Sequence, residues 1–173
     1  MNPHLALILG GARSGKSRHA LQLAHRFGDE VTWIATAEAF DDEMAQRIQK
    51  HRQERPNAWH TVEAPFDLAH AINQETADGR CVVVDCLTLW LSNWLCRDMP
   101  DVFDRERALL LKSIEKTSGP LVLVSNEVGW GIVPDNALSR RFRDEAGRLH
   151  QDIAAIAQRV TLVVAGIAMP LKE

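Results

Sequence analysis

Eight consecutive residues constrain this 173-residue chain more than any other feature: Gly10, Gly11, Ala12, Arg13, Ser14, Gly15, Lys16 and Ser17. They match the spacing GxxxxGK[ST] without a gap. An apolar run from His4 to Leu9 precedes them and a segment of helical period starting at Lys16 follows, so the local order is strand, glycine-rich loop, helix. The glycines let such a loop close around phosphate oxygens with its N–H groups turned inward, and the helix adds the positive end of its dipole. Within it, Lys16 is expected to reach the β and γ phosphates, and the Ser17 hydroxyl to coordinate Mg²⁺. All eight are therefore candidate nucleotide-binding residues, Lys16 a catalytic one and Ser17 a metal ligand.

A loop of this kind needs a parallel sheet to carry it, and the rest of the chain supplies the pattern for one. Short apolar runs at His4–Leu9, Val31–Ala35, Cys81–Val84, Leu121–Ser125 and Val160–Ala165 alternate with longer segments of helical period. Their almost unbroken apolarity predicts strands covered on both faces, because a half-exposed strand would alternate. Helices are expected at Lys16–Phe27, Asp41–Arg55, Pro65–Thr76, Leu87–Arg97, Val102–Thr117 and Asn136–Arg159. In the last, Leu138, Phe142, Leu149, Ile153 and Ile156 form one apolar stripe to lay on the sheet. Cys96 to Arg107 is polar and acidic and reads as a surface excursion. No repeat, low-complexity tract or flexible linker interrupts the chain, so residues 1–173 are read as one α/β nucleotide-binding catalytic domain with a mostly parallel central sheet.

The balance of 46% hydrophobic and 25% charged residues is that of a soluble globular chain. A formal net charge of -3 offers nothing to nucleic acid or anionic lipid. Cys81, Cys86 and Cys96 lack any CxxC spacing and read as buried thiols in a reducing compartment. No apolar run approaches the ~18 residues of a membrane span, so a cytoplasmic protein is expected.

Two further features sit near where a nucleotide would lie. Val82, Val83, Val84 and Asp85 form an apolar strand ending in a carboxylate, the arrangement that holds Mg²⁺ opposite a P-loop. In the expected helix Asp41–Arg55, acids open the first turn and Pro56 stops the last. There Arg47, His51 and Arg55 share one row at spacing four, at the edge of the stripe marked by Met44 and Ile48. Such a row is either a solvated basic face or a grip on a triphosphate with an imidazole placed to attack phosphorus.

Four blocks together carry a resemblance: GGARSGKSRHA at residues 10–20, DDEMAQRIQKHR at 41–52, SNEVGWGIVP at 125–134 and FRDEAGRLHQ at 142–151. In them the chain resembles the bifunctional adenosylcobinamide kinase and adenosylcobinamide-phosphate guanylyltransferase family of late cobalamin synthesis, from residue 10 to about residue 166. The resemblance implies a P-loop fold close to that of RecA, a homo-oligomer that is a trimer, and two reactions. In the first, ATP or GTP phosphorylates the aminopropanol hydroxyl of adenosylcobinamide. In the second, GTP guanylylates a histidine, by position His51, which passes GMP to that phosphate and gives adenosylcobinamide-GDP.

The same resemblance implies that Ala35, Thr36, Ala37, His51, Arg52, Gln53, Glu54, Glu63 and Asp85 surround the guanine nucleotide. Glu63 is chemically apt to accept hydrogen bonds from guanine N1 and N2. Asp85 stands where some members carry Glu, which shortens the reach to the metal. Lys50 stands where some carry a second histidine, which leaves His51 as the nucleophile. The glycine-punctuated loop Glu127–Pro134 should open at the same sheet edge as the P-loop, with Trp130 stacking on a ligand or a neighbouring subunit or else packing within its loop. Two other readings fit a P-loop alone: a kinase of another small metabolite without a covalent intermediate, and a non-catalytic nucleotide-dependent assembly module.

Overall fold

In the computed structural model, residues 2, 4–38, 56, 58–76 and 80–173 are described. The expected helix Asp41–Arg55, with His51, Arg52, Gln53 and Glu54, lies outside them. Seven strands make one sheet: β1 (Leu5–Gly10), β2 (Val31–Ala35), β3 (His60–Glu63), β4 (Cys81–Asp85), β5 (Leu121–Asn126), β6 (Arg159–Val164) and β7 (Ile167–Lys172). Their order is β3-β2-β4-β5-β1-β6-β7, parallel throughout except for the antiparallel β6–β7 pair. The described helices are α1 (Lys16–His25), α2 (Leu68–Glu75), α3 (Leu87–Leu95), α4 (Pro100–Lys116) and α5 (Ala137–Ile156).

The continuous apolar strands are buried on both faces, as their composition requires. Leu5, Leu7, Leu9, Val82, Val84, Leu121 and Leu123 pack in one core with α2, α3, α4 and α5. Ala6, Ile8, Trp33, Val83, Val122 and Val124 pack in another with Ala20, Leu23 and Ala24 of α1 and with Trp59. Because β1, β2, β4 and β5 all run the same way, the loops after them open at one edge, on either side of the switch in strand order around β1.

Several expectations are corrected. The segment read as a surface excursion is ordered from Pro100 onward as the start of α4; proline suits the first helical turn, Asp101 complements the dipole, and Phe103 is fully buried. The helix expected to reach Arg159 ends at Ile156, since Gln158 N–H donates to the Leu5 carbonyl at 3.1 Å and Arg159 is already paired with Ala6 in the sheet. Strand β7 was not expected: it contains Pro170 and is exposed along its length, so it lacks the apolar signature of the buried strands. It exists because Ala165 and Gly166, with φ of 51° and 80°, turn the chain back onto β6. Cys81 and Cys86 are buried, but Cys96 is exposed just beyond α3.

Candidate nucleotide site

The loop between β1 and α1 depends on two glycines for its shape. A side chain at Gly10 would put a Cβ 2.5 Å from Ser14 Oγ and 2.6 Å from the Val163 carbonyl, and Gly15 holds φ at 97°. Ser14 N–H donates to the Gly11 carbonyl at 3.3 Å, and Gly166 N–H, from the β6–β7 turn, donates to the Ser14 carbonyl at 2.8 Å. Ser14 Oγ is buried and has no hydrogen-bond partner among the described residues, which suits a hydroxyl waiting for a phosphate oxygen.

Lys16 folds back over this loop, its Nζ donating to the Gly11 carbonyl at 3.1 Å. Burial lowers its pKa, while the neighbouring Cys86 and Asp85 act in the opposite direction. An anionic triphosphate would restore the ammonium's full stability. Asp85 therefore lies within electrostatic reach of Lys16, at the end of the strand where a metal-holding carboxylate belongs. Ser17 is the first residue after Lys16 and is half-buried.

Glu63, Ala35 and Asp85 form one row across β3, β2 and β4, so three residues expected around the guanine nucleotide share the sheet edge. Glu63 is exposed there; Ala35 and Ala37 are half-buried. Thr36 is placed differently from the expectation. It is fully buried, and its polar groups are taken up inside the protein. Its Oγ1 donates to the Cys86 carbonyl at 2.7 Å and accepts from Cys86 N–H at 2.8 Å. Its own N–H donates to the Asp85 carbonyl at 3.1 Å, and its carbonyl accepts from Asn93 Nδ2 at 2.8 Å. Thr36 is thus a strut joining the ends of β2 and β4, holding Asp85 rather than presenting a side chain outward.

The end of β5 adds residues that sequence reasoning did not single out. Asn126 is level with Gly10, and its Nδ2 donates to Thr88 Oγ1 at 3.0 Å. Glu127 N–H donates to the Gly10 carbonyl at 3.0 Å, and its Oε1 accepts from Gly129 N–H at 2.6 Å. Behind it, His150 of α5 is buried, with Nε2 2.7 Å from Ser125 Oγ and Nδ1 3.9 Å from Glu127 Oε2. The signal was present: Ser125 and Glu127 lie in one of the resembling blocks and His150 in another. What sequence could not supply was that the two blocks meet. In the loop beyond, Trp130 is 78% exposed.

A mostly parallel sheet with a glycine-rich loop and lysine following an interior strand defines a P-loop nucleotide-binding protein. Solved structures share the fold. The flagellar accessory protein FlaH from Methanocaldococcus jannaschii aligns with a TM-score of 0.50 and 13% identity over 99% of this chain and 79% of its own. An ATPase of a bacterial type III secretion system aligns with a TM-score of 0.56 and 10% identity over 98% of this chain and 57% of its own. At such identities the likeness speaks for fold alone.

The narrower assignment comes from sequence: residues 6–171 match the family of cobinamide kinase / cobinamide phosphate guanyltransferase, and the chain belongs to it. Among relatives, the bifunctional adenosylcobalamin biosynthesis protein CobP of Pseudomonas aeruginosa is 55% identical over 166 residues, 96% of each chain. The bifunctional adenosylcobalamin biosynthesis protein CobU of Escherichia coli is 41% identical over an alignment of 183 positions, covering 97% of this chain and 99% of its own. Among the described residues, no helix is long and apolar enough to cross a membrane.

Proposed function

We infer that this chain is a bifunctional transferase of adenosylcobalamin biosynthesis. It phosphorylates the aminopropanol hydroxyl of adenosylcobinamide with ATP or GTP, then transfers GMP from GTP onto that phosphate, releasing pyrophosphate. Family membership over residues 6–171 supports the substrates. The observation that carries the chemistry is the buried Lys16 ammonium, held over a glycine loop beside Asp85 at the sheet edge. It is a cation set where the β and γ phosphates of a nucleotide would arrive.

In this reading the backbone of residues 10–17 cradles the phosphates. Ser17 and Asp85 offer a hydroxyl and a carboxylate, hard oxygen donors of the kind Mg²⁺ takes while keeping several waters. When bound, the ion would neutralise phosphate charge. Ala35, Ala37 and Glu63 flank the guanine, with Thr36 fixing their loop, and Arg52, Gln53 and Glu54 complete the surroundings. The nucleophile of the second reaction is His51. A neutral imidazole attacks the α-phosphorus of GTP; the N–P bond forms, the bond from the α-phosphorus to the bridging oxygen breaks, and pyrophosphate leaves with the electron pair. A reference imidazole pKa near 6.5 leaves much of such a group neutral around pH 7.

We take residues 1–173 as one catalytic domain in the cytoplasm, assembled as a trimer and without a nucleic-acid partner. The exposed Trp130, Ile132 and Val133 suit burial against a ligand or another subunit. The test compares α- and γ-labelled GTP with and without adenosylcobinamide. α-Label should attach to protein through a bond that breaks in acid and survives base. His51→Ala should abolish that label and leave γ-transfer measurable. Absence of α-label at saturating GTP and Mg²⁺ would remove the guanylylation half.

A further inference from the structure

In the phosphorylation step the substrate hydroxyl must lose a proton, and the sheet edge narrows which group can take it. Parallel strands lie roughly 4.8 Å apart, so Glu63 on β3 is about 19 Å from the P-loop strand across four spacings. Asp85 is about 10 Å away across two and is assigned to the metal. The Cys86 thiol is buried, and that burial disfavours its charged form. Glu127 follows the strand adjacent to β1, and its backbone is hydrogen-bonded to Gly10 itself at 3.0 Å.

The side chains behind Glu127 form a row running outward. Ser125 is completely buried, His150 is 7% exposed, and the Glu127 side chain is 21% exposed. A serine, a histidine and a carboxylate in this order suggest a nucleophilic triad, but here the serine is the inner end and no substrate can reach it. Only the carboxylate meets solvent. Its Oε1 is tied to Gly129 N–H, while Oε2 lies 3.9 Å from His150 Nδ1, beyond a direct hydrogen bond, and so keeps a lone pair for a proton. The Ser125 hydroxyl at His150 Nε2 and the Glu127 charge on the other side favour the tautomer with its proton on Nδ1.

We propose that Glu127 is the general base of the phosphorylation step, with His150 and Ser125 as positioning residues behind it; this rests on the kinase reading above. The substrate hydroxyl gives its proton to Glu127 as its oxygen bonds to the γ-phosphorus. The bond from that phosphorus to the bridging oxygen breaks, and the nucleoside diphosphate leaves with the electron pair. Glu127 then returns its proton to water. Guanylylation attacks a different phosphorus with a neutral imidazole and does not call on this carboxylate.

The experiment uses the full chain with Mg²⁺, measuring γ-phosphate transfer from ATP to adenosylcobinamide and, separately, α-label from GTP retained on protein. Glu127→Gln should lower kcat of γ-transfer by roughly 10²- to 10⁴-fold while KM for ATP stays within about threefold and α-labelling persists. Glu127→Asp should recover part of the rate. His150→Asn should lower kcat by about tenfold with both KM values unchanged. Gly129→Ala, whose Cβ would come 2.9 Å from Glu127 Oε1, should give the same split between the two reactions and carries the test if Glu127→Gln melts early. Near wild-type γ-transfer in Glu127→Gln, or joint loss of both reactions in folded variants, overturns the proposal. Absence of γ-transfer in the unaltered chain would instead overturn the kinase reading beneath it.

Discussion

The backbone N–H of Gly166 donates to the carbonyl of Ser14 at 2.8 Å, so the turn of the β6–β7 hairpin is bolted to the phosphate loop. Gly166 sits at φ 80°, and Arg18 Nη2 lies 3.1 Å from where its Cβ would stand. Gly166→Ala forces an L side chain into the left-handed region, at a cost on the order of 1–2 kcal/mol. Thermal melts should fall by several degrees, and nucleotide titration should show weaker binding as the loop loses its anchor.

Lys16→Met should separate binding from stability. The ammonium is buried and its pKa is lowered chiefly by that burial, so removing it relieves a desolvation cost, and the apo melting temperature should hold or rise. Saturation with nucleotide at 100-fold over Kd adds about 2.7 kcal/mol to the unaltered protein. The variant should gain none of this, and both transfer reactions should stop.

Asn93 bridges the Thr36 carbonyl at 2.8 Å and the Pro65 carbonyl at 3.0 Å. Asn93→Leu leaves the buried Thr36 carbonyl and the part-buried Pro65 carbonyl without that donor, a penalty of roughly 1–3 kcal/mol for the buried one. Denaturant unfolding should report the loss. KM for GTP in guanylylation should rise as well, because the displaced segment is the one that flanks the proposed guanine site.

Acid should weaken the fold through His150. Burial is the main cause of its lowered pKa, partly opposed by Glu127. An imidazole whose folded pKa lies below its unfolded value binds fewer protons when folded, so its contribution is complete above about pH 6.5 and is lost as pH falls through the folded pKa. His19, also lowered by burial and by Arg26 and Arg159, adds to the same slope. The unfolding free energy of His150→Gln should therefore decline less steeply below pH 6.5 than that of the unaltered chain. Equal slopes would assign the effect elsewhere.

Most of the buried sheet was legible from residues alone, because strands covered on both faces are written as unbroken apolar runs such as Val82–Val84 and Leu121–Val124. Strands β3 and β7 were not among the expected strands, since edge strands carry mixed polarity and their pairing, not their composition, makes them strands. For the same reason α5 was read three residues too long: helical period does not announce where a neighbouring strand captures the chain.

The P-loop was determined by sequence itself, because its geometry needs only consecutive residues: glycines free to take unusual dihedrals, then a lysine and a hydroxyl on the first helical turn. What tertiary structure decided are relations between residues far apart in the chain. Thr36 became a strut only because Cys86, 50 positions later, lies at the end of the adjacent strand. Glu127 acquired a buried histidine behind it only because α5 packs His150 against Ser125, 25 positions earlier. Such contacts depend on how two cores fill space on either side of a sheet, and no local pattern of residues encodes that.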